Sequence, residues 1–141
     1  MRAKLLLADA AKVSDGKVDA LGLAWSTTTS PTPPAAIVIL LQLGWDETDS
    51  SRALVIELLD ADGQPVLVNG QNGPGPLRIE GHVEASRPTG VPAGTPIDVP
   101  LAFGIGPGLD LTPGQRYEWR LSVDGETHED WEVGFLIRPG G

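Results

Sequence analysis

Few side chains in this sequence could do chemistry, and they stand in small groups. His82 and Glu84 are two residues apart, as are Glu126, His128 and Asp130. On an extended chain such spacing puts side chains on one face, where nitrogen and oxygen donors could meet a metal. Both groups lie in polar, solvated stretches, so no metal is expected. Asp60-Ala-Asp-Gly63 starts as a calcium loop does, but the third acidic position and the closing bidentate glutamate are missing. Asp and Gly also favour turns, and a hairpin turn is the expectation. Gly104-Ile-Gly-Pro-Gly108 has the glycine density of a phosphate cradle, yet no lysine follows and Pro107 removes a donor. The chain has no cysteine, hence no thiol nucleophile, thiolate zinc site or disulfide, and no sign of an oxidising compartment. No serine stands in a Gly-x-Ser-x-Gly elbow; Ser14, Ser26 and Ser122 read as turn or strand residues. With nineteen acids, some carboxylate pair always exists, so pairing carries no glycosidase signal. The expectation is a protein that is not an enzyme and holds no cofactor.

Four tryptophans raise sugar stacking as a further chemistry. Trp119 and Trp131 fall on the apolar faces of their segments and are expected in the core. Trp25 and Trp45, at segment ends beside loops, are the candidate ligand-binding platform, together with the loops around Asn69 and Pro107. The terminal Gly140-Gly141 is superficially like the tail of ubiquitin-like modifiers, but the rest of the pattern is unlike that fold. A tail of small residues is expected.

These groups must be positioned by a single domain spanning residues 1–141, a length at which folding buries roughly 68 % of the unfolded surface. The net charge of -9, with the lysines ending at Lys17, argues against a phosphate backbone as partner. Asp9 interrupts the apolar start well short of a signal-peptide core. The longest uncharged apolar run, Ala35 to Leu41, is far below the ~20 residues of a spanning helix. A cytoplasmic protein with no membrane partner is expected.

Eighteen glycines and thirteen prolines cluster between apolar runs, as punctuation of a β fold. Met1 to Ala11 reads as a strand with helix as its rival, and Lys17 to Thr28 as a second strand. Ser30-Pro-Thr-Pro-Pro34 is a stiff crossing. Leu77, Ile79, Val83 and Ala85 alternate with Arg78, Glu80, His82 and Glu84, and Ile97 to Ile105 alternates likewise, the pattern of sheets with one wet face. Pro65 marks an edge strand, and Asn69 to Pro76 reads as a loop. Asp124-Gly125 marks a hairpin between Tyr117–Val123 and Trp131–Ile137. A two-residue loop there opposes Trp119 to Asp130, so a three-residue loop with a Gly125 bulge is expected, with Trp131 opposite Tyr117 or Trp119. The sum is an all-β fold, an antiparallel sandwich of eight or nine strands, jelly-roll or immunoglobulin-like, with a closed barrel as alternative.

Leu6 to Gly22, the Thr-Pro approach to the apolar strand, Val99-Pro-Leu-Ala-Phe103 and Leu111-Thr-Pro-Gly-Gln-Arg-Tyr117 running to Val123-Asp-Gly125 resemble a family of small bacterial all-β proteins described as a domain of unknown function. The resemblance covers nearly the whole chain and implies no catalytic residues. Leu111 to Tyr117 is also similar to the tyrosine corner of fibronectin-type sandwiches, in which a tyrosine hydroxyl bonds upstream backbone.

One pair of strands is written differently from the rest. Ile37, Ile39, Leu41, Leu43 and Trp45 share one face of Ala35 to Trp45, and Ala36, Val38 and Leu40 make the opposite face apolar too. Arg52 to Leu59 repeats this, with Leu54, Ile56 and Leu58 against Ala53, Val55 and Leu59. A second apolar face must be covered by this chain or by another. Val38, Leu40, Val55 and Leu59 are therefore candidate contacts in a homo-oligomer or with a protein partner.

Overall fold

The computed structural model describes residues 1–70 and 73–140. Gln71 and Asn72, within the expected loop, and Gly141 of the tail lie outside the described residues. Twelve strands are present among the described residues: β1 (Arg2–Ala8), β2 (Ala10–Ser14), β3 (Lys17–Leu21), β4 (Thr27–Thr28), β5 (Ala35–Leu43), β6 (Arg52–Asp60), β7 (Leu67–Gly70), β8 (Gly73–Pro76), β9 (Arg78–Val83), β10 (Ile97–Ile105), β11 (Arg116–Val123) and β12 (Glu132–Ile137). The all-β reading holds and the count exceeds eight or nine, because short two-stranded pieces accompany the main sheets. β1, β5 and β10 form one sheet, with β5 central; β4, β12, β11, β6 and β9 form a second, in that order. No closed barrel forms among the described residues. The ladders are antiparallel except where two-residue β4 runs parallel to β12.

Period-two patterning places the core. Leu5 and Leu7, Ile37, Ile39, Leu41 and Leu43 face inward from the three-stranded sheet. Leu54, Ile56, Leu58, Trp119, Leu121, Phe135 and Ile137 meet them from the five-stranded one. The first segment is thus a strand, since its leucines alternate onto the core while Arg2 and Lys4 remain exposed.

The expected strand Lys17 to Thr28 is broken. Gly22 (φ +59) and Ala24 (φ +69) turn the chain out of β3, and a Cβ at Gly22 would have to push the Asp9 carboxylate aside. Leu21, counted as a strand residue, ends 72 % exposed. What precedes the break is a hairpin: β2 and β3 pair around Asp15-Gly16, both with positive φ, as a type I′ turn demands. Ala11, Val13, Val18 and Ala20 share one face of this arm, which packs across the outer side of β10 and β5.

Asn69 to Pro76 is not a plain loop: β7 and β8 make a two-stranded ribbon outside the main sheets. Pro74 and Pro76 are tolerated because each strand of so small a ribbon has a free side.

The Asp124-Gly125 connection corrects the expected register. Val123 and Glu126 exchange backbone bonds at 2.8 and 2.9 Å, and both turn residues have positive φ, so the loop has two residues. Parity is restored further on, where Leu121 N–H donates to Trp131 O at 2.9 Å. Three residues more on the second strand than on the first lie between these pairings. Trp131 therefore stands opposite Leu121, and the aromatic pair is Tyr117 opposite Phe135, rings 6.0 Å apart.

Tyr117 also makes the corner. Its hydroxyl accepts the Thr112 backbone N–H at 3.0 Å, tying the loop before β11 to the strand. Tyr117→Phe is expected to cost about 1 kcal/mol in urea denaturation, the value of one such bond; no change in midpoint would show that water replaces the hydroxyl without loss.

Candidate binding cleft

The outer face of β5 receives two different treatments. Ala36 and Val38 lie under the β2–β3 arm, and Val38 is only 2 % exposed. As a surface contact Val38 is corrected: its second face meets its own chain. Two residues on, Leu40 is 43 % exposed, because the arm ends at its Asp15-Gly16 turn. Val55 and Leu59 on β6 are half-buried on a solvated face rather than an apolar one. Val55 lies between Glu80 and Ser122, and Leu59 beside Glu118. Glu57 between them pairs with Arg78 at 3.4 Å, and Arg120 with Glu118 at 2.8 Å. The candidate contacts are not brought together: Leu40 belongs to one sheet's outer face, Val55 and Leu59 to the other's.

Around Leu40 opens a cleft of about 930 Å3. Its floor is Leu40 with Pro100 of β10, its overhang is Gly16 and Val18 of the arm, and beyond β1 it is bounded by His128, Asp130 and Trp131. Arg2 and Lys4, neighbours of Gln42 and Leu40 across the ladder, line it from β1. Neither has an ion-pair partner among the described residues, as is also true of Lys12, Lys17, Arg116 and Arg138, whereas Arg52, Arg78, Arg87 and Arg120 are paired. Asp98 is occupied by Gln42, whose Nε2 donates to it at 3.0 Å.

Backbone parity adds a second feature. Leu7 O accepts from Ala24 N–H, and Asp9 N–H donates to Leu21 O, so odd residues of β1 point away from β5. Ala3 and Leu5 then present their N–H and C=O groups to the open edge. Pro100 agrees independently. Leu40 bonds toward Lys4, so the proline opposite it on β10 sits where its missing donor would point out of the sheet. Pro100 is a sequence signal for an edge strand at β10, whereas the alternation Arg2-Ala3-Lys4-Leu5 marks only one wet face of β1.

The other candidates are otherwise engaged. Trp25 packs edge-on against Phe135 at 6.0 Å, at the far end of the core. Trp45 has the Arg87 guanidinium 4.3 Å above its ring, and its carbonyl accepts two Arg87 N–H bonds at 2.9 and 2.7 Å. A sugar would have to displace that cation. Beside it, the Met1 ammonium 2.8 Å away holds the Glu47 carboxyl below the usual carboxylate range, helped by the Gly44 N–H at 2.8 Å. Asp60 Oδ1 accepts the N–H groups of Asp62 and Gln64 at 2.9 and 3.0 Å, capping its own turn. Gly108 and Leu109 donate to Thr32, not to an anion site. His128 lies against Trp131, ring centroids 4.4 Å apart and planes tilted by 54°, and meets Glu126 at 3.2 Å. Among the described residues no three His, Asp or Glu side chains converge as a metal site, and no helix is long and apolar enough to cross a membrane.

No curated protein and no solved structure matches the chain. Residues 4–134 match the model of the Family of unknown function (DUF6941), and the chain belongs to that family.

Proposed function

We propose that this is a non-enzymatic, cytoplasmic binding protein, an antiparallel β-sandwich that takes a protein partner at the cleft around Leu40. The observation that carries the reading is the coincidence of an exposed leucine, two unpaired cations and an unpaired strand edge in one concave surface. Binding surfaces combine an apolar centre with a polar rim in this way. The outer face of β6, crossed by ion pairs, lacks the apolar centre. Self-association through the two apolar strands loses its support, because the arm covers Val38.

Panning a random-peptide display library against the protein tests this. Peptides that enrich are expected to lose at least tenfold in affinity for Leu40→Asp and to bind Leu59→Asp as before. Failure to enrich any peptide, or enriched peptides indifferent to Leu40→Asp, would remove the cleft as the working surface.

A further inference from the structure

We infer that β9 is the seam of a two-fold dimer, its open edge pairing antiparallel with the β9 edge of a second copy and joining the two five-stranded sheets. The inference does not depend on the cleft. Leu58 N–H donates to Leu77 O at 3.2 Å, and on the other flank of β6 the Ala53 carbonyl accepts the Asp124 N–H at 2.8 Å. Even residues of β6 therefore bond toward β9, and the residues opposed to them, Ile79, Gly81 and Val83, bond back. Arg78, Glu80 and His82 are left to present their N–H and C=O groups to the open side.

The other edges are guarded. β12 lies beside β1, Pro100 interrupts the edge of β10 and the arm packs over it, and β4 has only two residues. From Arg78 to Val83 β9 carries no proline, lysine or bulge, the devices that keep edges apart. Among the described residues β6 is the one strand packed closely against it. The β7–β8 ribbon leaves at Leu77, whose N–H donates to Val66 O at 3.0 Å, just before the open length begins.

The side chains name the occupant. On the solvated face the order is Arg78, Glu80, His82 and, just past the strand, Glu84, all exposed. Opposed residues of paired strands share a face. Turned end for end against itself about Gly81, this row sets Arg78 against Glu84 and Glu80 against His82, and the two-fold axis repeats both pairs. A slip of two residues one way sets Glu80 against Glu80. The other way it sets His82 against His82 and Glu80 against Glu84, so both slips oppose like groups. On the inner face the favoured register puts Ile79 opposite Val83 and Gly81 opposite Gly81. Ile79 and Phe103, half-buried in one chain, border that seam, and the Phe103 ring lies 3.6 Å from where a Cβ on Gly81 would stand. The second copy covers them.

Sedimentation equilibrium of the full chain tests this. An edge seam buries less than the roughly 1,600 Å² of a standard interface, so a dimer with Kd of about 1–100 µM is expected. Arg78→Glu and Glu84→Arg, both at exposed positions, each turn two attractions into two repulsions. Each variant alone should self-associate at least tenfold more weakly. Mixed in equal amounts they should form a heterodimer as tight as the parent, since every opposed pair is again of unlike charge. On the unaltered chain, amide exchange followed by NMR should slow at Glu80 and His82 as concentration rises, while Ile79 and Gly81 stay protected throughout. Leu40→Asp should leave the dimer unchanged. A monomer up to about 1 mM, a dimer indifferent to both charge variants, a mixture no tighter than either variant alone, or exchange at Glu80 and His82 that ignores concentration overturns the inference. So does a dimer lost in Leu40→Asp, which would move the contact to the cleft.

Discussion

Val38→Asp is expected to destabilise the protein by about 3–5 kcal/mol, the range found when a charge is left uncompensated in an interior. Leu40→Asp, on the same strand face, should cost within about 1 kcal/mol. The contrast follows from the arm alone. Val38 is 2 % exposed on a strand that β2 packs against, whereas Leu40 stands past the Asp15-Gly16 turn at 43 %. Urea denaturation with an unchanged slope measures both. Were the second face of β5 covered by a neighbouring copy, Val38→Asp would instead dissociate an assembly of intact subunits. Light scattering beside the denaturation curve separates these outcomes, and equal costs at the two positions would contradict the placement of the arm.

Trp119→Ala should cost about 3–5 kcal/mol, as truncation of a large buried aromatic does when its surroundings cannot collapse. Trp119 is 2 % exposed and stands between Leu58 of β6 and Val133 of β12. The stacked Tyr117 and Phe135 lie one inward position away on the same strands. Rigid strands on both sides hold that space open. Trp45→Ala removes mainly the Arg87 contact, worth about 1 kcal/mol. Chemical denaturation giving the same loss for both tryptophans would show the core to be misassigned.

Three strands of the five-stranded sheet, β9, β11 and β12, were legible because they alternate cleanly, and a one-residue slip would expose Trp119, Leu121 and Phe135 together. Parity even demanded an irregularity between β11 and β12. Its form was not legible, since the tight turn and the three further residues that correct the register depend on bonds from Leu121 and Arg120 into the 126–131 segment. Ala36 and Val38 announced a covered second face, but what covers them could not be read. The half-buried residues on that face of the arm are small and widely spaced, Ala11, Val18 and Ala20, and carry no strong apolar signal. The cleft was less legible still. Arg2 and Lys4 look like ordinary solvated charges until the ladder places them beside Leu40, and an unpaired edge is a property of neighbours, not of the strand itself.

The central claim is that β1 keeps an open edge at the cleft, and amide exchange along that strand tests it most directly. Lys4 and Leu6, bonded to β5, should be protected, while Ala3 and Leu5 exchange faster by at least tenfold in the free protein. Uniform protection across residues 3–6 would mean that the edge is already filled, and would contradict the account.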